Sequence, residues 1–145
     1  MPMRRLVLIV PFLAMGCDVL APAYDPDADR RMLGAYQEIS GILAQADLGA
    51  LSKPSSYPAE IPTYASIISQ LETAKLSLGG ASAKPGSAAA RSQDALISVV
   101  NGCITEVKSL AGFHQASGII PNAGITTPVR VACDAAVKAA QARRT

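Results

Sequence analysis

The chain has 145 residues and a mass of 14.9 kDa, about one domain, which excludes a multidomain enzyme. Half of it is hydrophobic, yet aromatic residues make up only 4% and tryptophan is absent, so the core is expected to consist of Ala, Leu, Ile and Val. Charged residues are 17% and the formal charge is +2, a balance that argues against a surface for nucleic acid or acidic substrates.

Arg4 and Arg5 precede an apolar run from Leu6 to Met15, the pattern of a secretory signal. The run is roughly half of the ~20 residues that a spanning helix needs, and Pro11 interrupts it, which disfavours a permanent membrane span. At its end, Leu13, Ala14, Met15, Gly16 and Cys17 resemble the lipobox of bacterial lipoproteins. Met15 departs from the small or β-branched residue usual at its position. The resemblance implies that residues 1–16 are removed as a signal peptide. It also implies that the Cys17 thiol becomes a thioether carrying a diacylglyceryl anchor, which holds the protein at an envelope membrane facing the periplasm. Asp18, directly after the acylated residue, implies retention at the inner membrane. Ala21, Pro22 and Ala23 form a rival A-x-A site, whose use would release a soluble periplasmic or secreted protein beginning at Tyr24. Loss of residues 1–16 leaves 11 basic and 11 acidic residues, a formally neutral mature chain.

Residues 17–29 read as the acylated cysteine and a flexible tether. Prolines and aspartates dominate the tether, with little apolar periodicity. Asp25, Asp27 and Asp29 lack the Gly-containing loop and closing Glu of a calcium-binding hand. A folded domain over 30–145 follows. Met32, Tyr36, Ile39, Leu43 and Ala46 recur at steps of four and three, which predicts a first helix from about Ala28 to Ala46. The stretch from Gly49 to Pro58 reads as a loop. A second helix is expected from about Pro62, a residue suited to a first helical turn, with Tyr64, Ile67, Ile68, Leu71, Lys75 and Leu78 as its stripe and Gly79 and Gly80 at its end. Tyr36, Ile39 and Leu43 echo Tyr64, Ile67 and Leu71, but three positions are too few to define a repeat.

After the flexible link 79–87, Leu96, Val100, Cys103, Val107 and Leu110 give the strongest pattern in the chain, a third helix from about Ala88 to Phe113. Thr127 before Pro128 looks like a capping hydroxyl and a first-turn proline, so a fourth helix runs to about Ala142. Val129, Cys133, Ala136 and Ala140 share one of its faces, and Arg143 and Arg144 lie near its negative end. The pattern predicts an all-α fold, a small antiparallel bundle of about four helices.

The cysteine count is odd. Acylation uses Cys17 and cleavage after Ala23 discards it, so either route leaves Cys103 and Cys133 as a pair on the inward faces of the third and fourth helices. A disulfide between them is expected to contribute on the order of 3 to 4 kcal/mol on the chain-entropy model.

The search for chemistry is short. His114 is the single histidine; just past the third helix, it reads as a helix cap or an exposed residue rather than a base. The chain has no nucleophile-elbow motif, no phosphate-binding glycine fingerprint and no CxxC. No metal site, cofactor or nucleic-acid partner is expected. An axial haem pair of Met32 and His114 would require the ends of the first and third helices to meet. The reading is therefore a non-catalytic binding or scaffolding module, anchored to the membrane through lipid and docking onto a protein partner in the envelope. Its candidate contact is the loop Gly118, Ile119, Ile120 and Pro121, whose adjacent isoleucines must either meet a partner or fold back onto the core. The alternative is a carrier or sensor of a small apolar ligand, or of haem, held in a gap between the helices.

Overall fold

In the computed structural model, residues 24–80 and 83–143 are described. The expected signal segment, Cys17, Asp18 and the expected Ala23 cleavage site lie outside the described residues, as does Arg144. Four helices follow one another: α1 (Pro26–Asp47), α2 (Ser56–Gly80), α3 (Ala88–Ser117) and α4 (Thr127–Gln141). Short 3-10 turns at Ala50–Ser52 and Ala123–Thr126 lie in the first and third connections. α1 packs on α2 and α4, and α3 packs on the same two helices, which closes an antiparallel bundle. The fold class is as expected, and no strand occurs among the described residues.

α1 starts earlier than the sequence pattern suggests, because Asp25 caps it. The Asp25 carboxylate accepts hydrogen bonds from the backbone N–H groups of Asp27 and Ala28 at 2.9 and 3.0 Å, and Pro26 takes the position that needs no donor. Asp27 and Asp29 add negative charge to the positive end of the helix. Residues 26–29 are therefore helical rather than tether, and Ala28 and Asp29 are already buried. Replacing Asp25 by Ala is expected to cost about 1 kcal/mol, read as a lower urea midpoint with an unchanged slope.

α2 also begins ahead of its expected start, at Ser56 rather than Pro62. Pro58 falls in the first turn, where a missing N–H is harmless, whereas Pro62 sits inside the helix and leaves one carbonyl without its intrahelical partner. α3 runs past its expected end at Phe113 to Ser117, where Gly118 adopts φ +73° and donates its N–H to the His114 carbonyl at 2.8 Å. At the start of α4, Thr127 lies within the helix. Thr126 precedes it, makes no side-chain cap and donates instead to the Ala123 carbonyl at 2.7 Å.

The predicted stripes form the core, with Met32, Ile39, Ile67, Val100, Val107 and Ala136 among its buried members. α3 is long and apolar enough by length and composition to cross a membrane. Here it is the helix whose Leu96, Val100, Cys103, Ile104, Val107 and Leu110 enter the bundle interior. Cys103 and Cys133 form the expected disulfide, with Sγ atoms 2.04 Å apart, and tie α3 to α4 in the middle of the core.

Candidate functional site

The bundle has two ends. The first turn of α1, into which the N-terminal segment leads, shares one end with Gly80, Ala88 and Gln141; the opposite, distal end holds the α1–α2 and α3–α4 connections. The most organised polar chemistry lies at the distal end, around His114.

Because α3 continues to Ser117, the His114 side chain points inward and is 0% exposed, which corrects its reading as an exposed or capping residue. Tyr57 and Tyr64 meet the ring edge-on, with centroids 5.4 and 6.0 Å away. His114 Nε2 lies 2.8 Å from Ser56 Oγ, and Nδ1 lies 3.2 Å from Tyr64 Oη. Ser56 Oγ is also 3.0 Å from the Leu51 carbonyl oxygen and 3.3 Å from that of Gly118.

Counting donors and acceptors assigns the protons. If Tyr64 donates to Nδ1, then Nε2–H donates to Ser56, and the Ser56 hydroxyl is left to donate to a backbone carbonyl. Every group is satisfied, and the imidazole is neutral. The reverse tautomer would leave the Tyr64 proton without an acceptor among the described residues. Burial lowers the His114 pKa, opposed in part by the Glu60 carboxylate. Burial, followed by Glu60 and Tyr57, pushes the Tyr64 phenol well above its ordinary range.

A serine 2.8 Å from an imidazole has the spacing of a nucleophile and its base. Its surroundings are wrong for that use. The Ser56 proton goes to a carbonyl, and carbonyl oxygens crowd the hydroxyl where an oxyanion would need N–H donors. Nδ1 faces a phenol rather than a carboxylate. What the arrangement does is join the start of α2, the end of α3 and both distal connections.

The expected contact loop folds back. Ile120 is 0% exposed, and its N–H donates to the Leu51 carbonyl at 2.8 Å. Ile119 is half-buried, and Gly118 closes α3. Pro121 is exposed but stands next to a plugging side chain rather than in an apolar patch of its own. Other apolar residues at this end do face outward. Leu48, Ile61, Phe113 and Val131 lie within two turns of the distal end, one from each helix or its cap, with exposures of 85, 46, 40 and 64%. Next to Leu48 and Val131 in the chain, Arg130 of α4 pairs with Asp47 of α1 at 3.0 Å.

At the opposite end, Asp27, Arg30, Arg31 and Gln70 line an open polar cleft of about 320 Å³. Asp27 pairs with Arg30 at 3.5 Å, and buried Asp29 accepts from the Tyr24 hydroxyl at 3.0 Å. With Asp25 used as a cap, the three aspartates do not converge. No group of three or more metal-ligating side chains occurs among the described residues. In the apolar interior, the void beside Ile39, Tyr64 and Val107 holds about 10 Å³, and the one beside the disulfide about 0 Å³. These are no larger than one water. Met32 and Leu96 share a cavity near the end where α1 begins. His114 lies eighteen residues further along α3 than Leu96, ~27 Å of helix, so Met32 and His114 cannot ligate one haem.

Comparison with protein-family models, with curated proteins and with solved structures finds no match to this chain.

Ser56, Tyr57 and Glu60 went unnoticed as partners of His114 because all three lie ahead of the helix start expected at Pro62, the first two within the expected loop Gly49 to Pro58. Their places eight, seven and four residues before Tyr64 were the available signal, since these are the helical spacings of one face extended back through Pro62.

Proposed function

We propose that this protein is a lipid-anchored envelope protein that serves as a non-catalytic binding or scaffolding module, meeting a protein partner through its distal end. The observation that carries the reading is the position of Leu48, Ile61, Phe113 and Val131, exposed at the end of the bundle opposite the entry of the N-terminal segment. An anchor at Cys17 leaves that end facing away from the membrane, with large apolar side chains exposed near it. This apolar collar replaces the loop 118–121 as the candidate contact. A carrier of apolar ligands finds no support in interior voids of about 10 Å³ or less.

Two measurements test the parts separately. Cys17→Ser is expected to move the protein from the membrane fraction to the soluble fraction, with loss of the diacylglyceryl mass. An unmodified mature chain starting at Tyr24 would remove the anchor from the proposal. A photocrosslinker at Phe113 is expected to capture one defined envelope protein that a crosslinker at exposed Leu76, near the other end, does not. Equal capture at both positions would reject the collar as the contact.

A further inference from the structure

The His114 cluster brings together segments far apart in the chain. Ser56 opens α2, Leu51 belongs to the α1–α2 connection, Gly118 closes α3, and Ile120 carries the plug that bonds back to Leu51. We propose that His114 is a proton-operated latch: the neutral ring, bridging Ser56 and Tyr64, keeps the distal end shut, and proton uptake releases Leu51, Ile120 and the two connections that carry them. The latch does not depend on the lipid anchor or on the identity of any partner.

The physical reason is a donor conflict. Imidazolium donates from both nitrogens. Nε2–H keeps Ser56, but the new Nδ1–H points at Tyr64 Oη, which already donates in that direction. The Tyr64 proton then loses its acceptor while Tyr64 is buried, and a positive charge is enclosed at zero exposure. Admitting water at the bundle end relieves both without unfolding the helices. Among the groups around this site, α2 contributes Tyr57, Tyr64 and the buried Glu60. The α1–α2 connection contributes exposed Lys53, and residues 118–126 contain no ionisable side chain. Asp47 of α1 and Arg130 of α4 are paired with each other. Glu60 favours the imidazolium, and burial opposes it more strongly.

The sign follows from the lowered value in the fold. The unfolded chain binds this proton near pH ~6.5, and the closed state binds it only at lower pH. The closed state is therefore fully favoured above about pH 6.5 and loses ground as pH falls through the folded value.

The test is hydrogen exchange at the Ile120 amide in the intact protein from about pH 7.5 down to about pH 4.5, with NMR of the single imidazole as the titration reporter. The Ile120 protection factor is expected to fall by up to about tenfold per pH unit from about pH 6.5 down to the pH at which the closed-state ring titrates, and to level off below it, while the Val107 amide stays protected. His114→Gln keeps a donor for Ser56 without a titrating ring, and the fall should disappear. If that variant does not fold, Glu60→Gln, with His114 in place, should carry the ring titration and the pH at which Ile120 protection levels off together to lower pH. A flat Ile120 profile between about pH 6.5 and the ring titration overturns the latch. So does a fall that persists in His114→Gln or fails to move in Glu60→Gln.

Discussion

Reduction of the Cys103–Cys133 disulfide is expected to lower the melting temperature by roughly 10 to 20 °C. The bridge closes a loop with a sequence separation of 30. On the chain-entropy model this removes on the order of 3 to 4 kcal/mol of freedom from the unfolded chain, a large share of the stability of a domain this size. The α3–α4 connection includes the irregular segment 118–122, so without the bridge the pairing of the two helices rests on packing alone, and α4 buries mostly small side chains such as Ala136 and Ala140. The Cys103→Ser, Cys133→Ser double variant should reproduce the loss, measured by thermal unfolding with and without reductant. A transition that reductant leaves in place would mean that the helix pair is held by packing alone.

His114→Ala is expected to cost about 3 kcal/mol, whereas Phe113→Ala, its sequence neighbour, should cost less than about 1 kcal/mol. General burial preferences would suggest the reverse, since Phe is more often interior than His. Here the phenyl is 40% exposed and the imidazole is enclosed. Truncating His114 removes the acceptor of the Tyr64 hydroxyl, takes away a ring that Tyr57 and Tyr64 both pack against, and leaves a hole where α2 meets α3. Chemical denaturation of the two variants side by side decides the point. Equal losses would show that the cluster adds nothing beyond apolar burial.

Much of the fold was legible because helical periodicity is a local property. Leu96, Val100, Cys103, Val107 and Leu110 stand at steps of four and three, and all five are buried. Val129, Cys133, Ala136 and Ala140 behave in the same way. Placing both cysteines on inward faces was enough to anticipate their bridge, since two neighbouring helices that bury their stripes against each other bring those positions together.

Helix ends were harder to place. A proline is compatible with a start, so Pro62 looked like one, but Ser56 and Tyr57 are held in helical conformation by contacts with His114, fifty-eight residues away from Ser56. The end of α3 was hidden for a related reason. Residues 114–117 have no apolar stripe, and their inward anchor is a histidine that satisfies its polarity with hydroxyl groups from another helix. The candidate site suffered most from this: Ile119 and Ile120 are equivalent in sequence, yet only Ile120 meets the Leu51 carbonyl and enters the core.

By itself, then, the sequence determined the helical class, the inward stripes and the cysteine pairing, all of which follow from spacing along one chain segment and the need to remove apolar surface from water. Only the tertiary structure decided that the lone histidine is interior, that its two ring nitrogens meet Ser56 and Tyr64, and that Leu48, Ile61, Phe113 and Val131 are exposed near one end of the bundle. Those facts depend on which side chains from different helices arrive at the same place, and periodicity within a single helix carries no information about that.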